Sequence, residues 1–348
     1  MSTVYLLRFR FTAPVHFGDA GEGGGLEEVR SFCHADTFFS ALCREAALQG
    51  EAAVHRLYEK AAAGDLLISD LFPYKKKSAD EYDFYLPRPV LTVQGVEKES
   101  HTLEEVRQSA SVRKKMKKRT FIRASEMKQY LEDLLQGTQT ISEEPVFGAF
   151  SDDIHFNGRT REPYSVGAYT FAKDAGVYLL VSLRSEEDLD WLLPLIYMLG
   201  LSGIGGRRSS GCGRFEIVDG EVGENLSELA KNGDAFFIPD AKYGFNDDDK
   251  ALATLLEDTE SVCQMALCPV LPAKDEIQVP VTGKLLRRGG FTFSRDIDSP
   301  VKTGSVHMMD TGSCFAERIQ GRIADVSCGL IPHPAYKYGK GLFVGIKL

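Results

Sequence analysis

An α+β chain of two ferredoxin-like (RRM-like) domains, the first carrying insertions, is the architecture this sequence predicts, and three observations lead there. A strand at residues 5–11 alternates, with Tyr5, Leu7, Phe9 and Phe11 on one face and Leu6, Arg8 and Arg10 on the other. Two amphipathic helical stretches, beginning near Asp36 and Ser185, are separated by short strand-like runs. A glycine-rich loop follows the second helix and leads into a last strand at residues 214–218. Strand, helix, strands, helix, strand is the order of a βαββαβ unit.

The elements follow in turn. Asp36 stands where a helix N-cap is expected, Phe39, Leu42, Cys43, Ala46 and Ala47 make one stripe, and the helix ends near Gly50. Strands are expected around residues 66–72 and 83–86, the second closed by Pro87 and Pro89. Ser125 is placed to cap a short helix over 126–136 that Gly137 stops. Ser185 followed by Asp188 has capping-box spacing, and Pro194 is expected to kink the helix lined by Leu189, Leu192, Leu193 and Ile196. Residues 1–220 are assigned to the first domain. Residues 221–348, strand-like with many turns from about 260, form a second, mostly β domain of related topology, and 231–234 and 246–249 read as surface loops.

The 348 residues, 43% hydrophobic and 26% charged, suit a soluble protein of two domains. The longest near-apolar run, 191–201, is too short for a bilayer, so no membrane association is expected. The opening apolar run contains arginines and no cleavage pattern, which makes a cytoplasmic location the expectation. Seven cysteines without a C-x-x-C pair argue against a disulfide framework or a cysteine zinc site. Seven dispersed histidines without H-E-x-x-H leave metal and cofactor sites unsupported. A net charge of −9 argues against nonspecific adhesion to nucleic acid by the whole surface. It leaves room for a local basic site beside an acidic exterior that meets protein partners.

The loop at residues 203–213 reads GIGGRRSSGCG. Gly203, Gly205, Gly206 and Gly211 let backbone amides come close to a phosphate or sugar, Ser209 and Ser210 donate hydrogen bonds, and Arg207 and Arg208 add charge-assisted contacts. Nucleotide motifs fail here: Arg208 stands where G-x-G-x-x-G needs its third glycine, and no P-loop lysine follows. The loop also follows a helix and precedes a strand, the reverse of both motifs. A long surface turn is the plain alternative.

Two further segments carry cations. Arg113, Lys114, Lys115, Lys117, Lys118, Arg119 and Arg123 occur without an acidic residue between them. Such a run fits an RNA backbone, an acidic partner or simply a solvated face. Residues 152–171 mix His155, Arg159, Arg161, Tyr164 and Tyr169, a combination that stacks bases while holding phosphates, or else an ordinary hairpin. His16 or His34 could act as general base for RNA cleavage at a 2′-hydroxyl, although a lone histidine before a helix is more often structural or a binding contact.

Taken together, HADTFFSAL (34–42), LFPY to YLPRP (71–89), GLSGIGGRRSSGCGRF (200–215), KTGSVHMMDTGSCF (302–315) and HPAYKYGKG (333–341) resemble the RAMP superfamily of CRISPR systems. Within it they are similar to the fourth-subunit family of type III-A Csm complexes, in register along nearly the whole chain. The resemblance implies a subunit without nuclease activity that caps the 5′ end of the guide complex. It would hold the repeat-derived tag of the crRNA and contact the large polymerase-cyclase subunit and the first backbone RAMP subunit. Gly203, Gly205, Gly206, Arg207, Arg208, Ser209, Ser210 and Gly211 would form the tag-binding loop, Arg159 and Arg161 would lie on an inserted hairpin, and His16 and His34 join the expected RNA-binding set. Cys212 stands where the family commonly has an aromatic residue. The competing expectation is a metal-independent RAMP endoribonuclease acting on CRISPR repeat RNA.

Overall fold

The structure is a computed structural model that describes residues 2–18, 25–78, 81–92, 102–141, 145–156, 158, 160–218, 246–292, 299–329 and 331–347. The N-terminal part runs β1 (Thr3–Phe11), α1 (Ala35–Gln49), α2 (Glu51–Ala63), β2 (Leu66–Ile68), β3 (Phe72–Lys76), β4 (Tyr82–Pro87), α3 (Leu103–Met116), β5 (Phe121–Arg123), α4 (Met127–Gln136), β6 (Gly148–Phe156), β7 (Pro163–Phe171), β8 (Ala175–Leu183), α5 (Leu189–Ser202) and β9 (Phe215–Ile217). Among the described residues one antiparallel sheet has the order β5-β4-β3-β8-β1-β9, with β2 also pairing to β8. In β1, Tyr5, Leu7 and Phe9 are buried as the alternation requires, while Arg10 is exposed and paired with Glu216 at 2.7 Å. All nine residues of β8 are buried, so both sheet faces are covered there.

After the undescribed stretch comes α6 (Asp247–Glu257), then β10 (Cys263–Ala266), β11 (Val281–Thr282), β12 (Leu285–Arg288), β13 (Phe291–Thr292), β14 (Val301–Lys302), β15 (Val306–Met309), β16 (Cys314–Phe315), β17 (Ala324–Asp325), β18 (Tyr336–Lys337) and β19 (Phe343–Ile346). These make a four-stranded sheet, β11-β16-β10-β19, and three two-stranded ribbons among the described residues. A single hydrophobic cluster joins the two halves, from Leu7 and Phe39 through to Tyr338 and Val344.

Several expectations are corrected. The 66–72 run divides into β2 and the start of β3, because Asp70 leaves the strand to cap α1. Asp36 is not the N-cap: His34 holds that position, and Asp70 Oδ1 accepts from Ala35 N at 2.7 Å. Ser185 makes no side-chain cap, and buried Asp188 instead takes Lys60 at 2.9 Å. Residues 246–249 are no surface loop but the start of α6, where Asn246 Oδ1 accepts from Asp248 N and Asp249 N. Asp248 is fully buried and accepts from Phe84 N, Arg123 Nε and Ser125 N at 2.9 to 3.0 Å, and Ser125 does not cap α4 because it lies inside a 3₁₀ turn, Ala124–Glu126, with Glu126 at the N-cap position. Residues 231–234 lie outside the described residues.

The two halves are clasped through Asp36. Its carboxylate is buried, receives Arg288 Nε at Oδ2 at 2.9 Å, and has Arg288 Nη2 2.9 Å from Oδ1 and Lys337 Nζ 3.2 Å from Oδ2. Burial alone would raise its pKa, but Arg288 and Lys337 outweigh burial and hold it well below the ordinary carboxylate range. The HPAYKYGKG segment supplies much of the remaining clasp. Tyr336 stacks on Tyr58 with centroids 4.3 Å apart, Tyr338 OH accepts from Ile68 N at 2.9 Å, and Lys340 Nζ donates to Ala62 O at 3.2 Å.

Arg288→Ala leaves a buried carboxylate short of its main partner, and urea unfolding is expected to register a loss of about 3–5 kcal/mol. Asp36 has a depressed folded pKa, so its contribution is complete above the ordinary aspartate pKa of about 4 and is lost as pH falls below it. Acid unfolding curves of wild type and variant should therefore converge on going below about pH 4.

Candidate functional site

Of the residues expected to meet RNA, the glycine loop packs on one short segment, 14–17, which lies just after β1 and includes His16. Val15 pairs with Tyr169 of β7 through N–H···O bonds of 2.8 and 2.9 Å. Pro14 O accepts from Gly213 N at 2.9 Å and His16 O from Gly206 N at 2.8 Å. Phe17 O accepts from Arg30 N at 2.9 Å. The glycine loop, the β6–β7 hairpin and residues 30–34, far apart in sequence, thus meet on one stretch of backbone.

The loop leaves α5 at Gly203 (φ 80°), tucks Ile204 into the core at 0% exposure, and returns through Gly213. Most of its glycines serve contact within the protein. A Cβ at Gly206 would overlap the His16 ring, and one at Gly205 would lie 2.7 Å from His16 O. Gly211 differs, having open space around it and only its positive φ of 88° to require glycine. Arg207 adopts a left-handed conformation (φ 55°) and begins a 3₁₀ turn, Arg208–Ser210. The amides of Ser210, Gly211 and Cys212 turn inward to the carbonyls of Arg207 and Arg208. Among the described residues the amides of Arg207, Arg208 and Ser209 make no backbone hydrogen bond. A left-handed residue followed by right-handed ones turns successive N–H groups toward one point, a concavity suited to anions. Ser209 and Ser210 are exposed on this crest, and Arg207 and Arg208 are half-buried at its foot.

The hairpin of β6 and β7 projects from this base. Phe147, Val166 and Tyr169 are buried, whereas Phe150, directly opposite Tyr169, and Ile154 and Phe156 nearer the turn are 64 to 71% exposed. Arg161 is exposed at its turn with φ 56°, and Arg159 lies outside the described residues. His155 and Tyr164 stack across the strands, with centroids 5.7 Å apart.

His16 is buried, and its Nδ1 donates to Gly167 O at 2.8 Å, since a carbonyl only accepts. His34 is buried under the start of α1. Arg30 Nη1 lies 3.1 Å from its Nε2 and Asp70 Oδ2 lies 2.8 Å from its Nδ1. Guanidinium only donates, which assigns the ring proton to Nδ1 and fills the Nε2 lone pair. Asp70 Oδ2 also accepts from Thr311 Oγ1 at 2.6 Å, carrying the chain of hydrogen bonds into the C-terminal half.

The basic run at 113–123 is not one cationic stripe. Arg119 is buried and donates to Ile141 O, Arg113 donates to Leu135 O, and Arg123 pairs with Asp83 and Asp248 at 2.7 and 2.9 Å. Lys114, Lys115, Lys117 and Lys118 remain exposed. Two residues that the sequence reading passed over, Arg30 and Phe32, lie on the same segment as His34. The segment bends at residues 31 and 32 between two isolated bridges, so no periodic pattern marked them in the sequence.

Residues 259–346 match the family model described as the CRISPR Csm4 C-terminal domain. Curated relatives extend the likeness to the rest of the chain. Csm4 of Mycobacterium tuberculosis is 29% identical over 350 residues, covering 98% of this chain and 97% of the relative. Csm4 of Streptococcus thermophilus is 26% identical over 356 residues, covering 99% of each. The chain is thus similar to Csm4 proteins along nearly its whole length. Its fold agrees with that of solved Csm4-containing structures: a Csm3–Csm4 subcomplex of the type III-A CRISPR-Cas interference complex (TM-score 0.59, 16% identity, 100% of both chains) and a Csm1–Csm4 cassette with AMPPNP (TM-score 0.54, 18% identity, 100% and 99%).

Because Gly206 is fixed by the His16 ring and Gly211 by φ alone, alanine substitutions should separate the two demands. Gly206→Ala should lose about 1–3 kcal/mol by forcing the loop off residues 14–17. Gly211→Ala should lose about 1–2 kcal/mol from left-handed strain. Urea midpoints measure both, and the exchange rates of the amides at positions 206 and 213 should rise only in Gly206→Ala.

Proposed function

We propose that this chain is a non-catalytic crRNA-binding subunit of a type III-A CRISPR complex, gripping the 5′ repeat-derived tag and linking the large polymerase-cyclase subunit to the backbone RAMP subunits. The observation that carries it is the crest of the glycine loop: three amides without backbone partners among the described residues, two serines and two arginines, held in place from behind by His16. Such a surface positions a phosphate backbone by charge-assisted hydrogen bonds. The relatives that assemble with Csm1 and Csm3 support the linking role, and the acidic net charge leaves surface for protein partners. The strand order β3-β8-β1-β9, with α1 and α5 as crossovers, supports reading residues 1–220 as a ferredoxin-like unit whose loop precedes the last strand. Residues 221–348 are then the second, mostly β domain.

Against the endoribonuclease alternative, the Nε2 lone pair of His34 is already engaged by Arg30, so that ring has no basic nitrogen to offer a 2′-hydroxyl. Incubation of the purified chain with repeat RNA in EDTA should yield no cleaved product. A product abolished by His16→Ala would reverse the assignment.

Binding of labelled tag RNA by wild type and an Arg207→Ala, Arg208→Ala variant at several salt concentrations tests the tag-gripping role. Loss of two phosphate contacts should flatten the log–log salt slope by about 1.4 and weaken binding about tenfold or more at low salt. Equal affinity and slope would leave the loop a structural turn.

A further inference from the structure

We propose that Phe32, Arg30 and Asp310 form a subsite for one nucleobase of a single-stranded RNA, next to the glycine loop and at the junction of the two halves. The proposal rests on the RNA-binding reading above and adds to it a place where a base, rather than a phosphate, is held.

Three observations converge there. The first is continuity with the loop: a Cβ at Gly205 would sit 3.0 Å from the Phe17 ring, Phe17 pairs with Arg30, and the Arg30 guanidinium lies 5.7 Å from the Phe32 ring centroid. The glycine loop and the Arg30–Phe32 segment are thus joined through Phe17.

The second is the state of Phe32. It is half-buried and held edge-on by His34 and Phe121, with centroids 5.0 and 5.6 Å away and interplanar angles of 83° and 87°. Both neighbours fix the orientation of the ring without stacking on it. A rigid, partly exposed aromatic with an arginine beside it is the platform on which an unpaired base stacks.

The third is Asp310. Its Oδ1 accepts from Thr311 N at 2.8 Å, and among the described residues Oδ2 has no hydrogen-bond or ion-pair partner. Burial pushes the carboxyl up, the Asp70 carboxylate adds to this, and the Thr311 amide and the Arg30 charge draw it back. Thr311 Oγ1 is tied to Asp70, which is tied to His34, whose ring contacts Phe32, so acceptor and platform belong to one fixed network. One open carboxylate oxygen accepts a single N–H from the edge of the stacked base, and Arg30 lies over the Phe32 ring.

The test uses the full chain, a synthetic tag RNA and a set of tag RNAs each with one abasic position, with affinities read by fluorescence anisotropy. Phe32→Leu is expected to weaken the intact tag roughly tenfold and to add no loss on the RNA abasic at one particular position, with Phe32→Tyr restoring wild-type affinity. Asp310→Asn should follow the same positional pattern and serves as the deciding variant if Phe32→Leu fails to fold by thermal melting. Wild-type affinity in Phe32→Leu and Asp310→Asn, or equal losses on every abasic RNA, overturns the subsite. If the Arg207→Ala, Arg208→Ala variant still binds weakly in that case, the loop reading stands without it. If that variant also binds like wild type, the underlying RNA reading fails and the subsite with it.

Discussion

Four residues, 14–17, hold the site together because their backbone groups answer to three partners at once. Pro14 and His16 offer carbonyls to the glycine loop, Val15 forms a reciprocal pair with the hairpin at Tyr169, and Phe17 receives Arg30. Each amide–carbonyl bond contributes about 1 kcal/mol net, but leaving a buried partner unmet costs about 1–3 kcal/mol. A shift of this segment would break several such bonds together, so loop, hairpin and junction move as one body or not at all. The glycines of the loop follow from that constraint. Gly206 is small because the His16 ring lies against it, and the outward amides are available because the neighbouring ones are already satisfied inward.

A second constraint joins the site to the C-terminal half. Asp36, Asp70 and Asp248 are fully buried carboxylates, and each takes part in contacts that cross between the halves: Asp36 to Arg288 and Lys337, Asp70 to Thr311, Asp248 from α6 to Arg123. Removing one partner from a buried charge is far more damaging than its net contribution suggests. The junction that carries His34 and Phe32 is therefore held by charge as well as by apolar packing, and residues 30–34 have little freedom to reorient.

Where the chain is periodic, the sequence was informative. The alternation of β1, the stop at Gly137 and the loop between α5 and β9 stand where the pattern put them, and of the expected α1 stripe Phe39, Leu42 and Ala46 are buried while Cys43 is half-buried and Ala47 exposed. Local composition misled where a polar residue serves a distant partner. Asp36 looked like a cap because its cations lie 252 and 301 residues farther along. The acidic run 247–249 looked like a loop, although asparagine followed by acidic residues also marks a helix start. Helix α2 was not seen because only Leu57 and Ala61 are buried on it, too few to make a stripe, and the mostly polar α3 offered no apolar face to read. In the candidate site the glycine loop was legible as a motif. Its support by residues 14–17 was not, since backbone hydrogen bonds leave no mark on residue type.

The central claim is that the crest of the loop, rather than the hairpin or the basic run, holds the tag. Photocrosslinking of the assembled complex, with a photoreactive nucleotide at successive tag positions and the joined peptides identified by mass spectrometry, tests it most directly. The account predicts crosslinks to the peptide containing Arg207, Arg208, Ser209 and Ser210, confined to adjacent tag nucleotides. Crosslinks that fall on Lys114, Lys115, Lys117 and Lys118, or on no peptide of this chain, would contradict it.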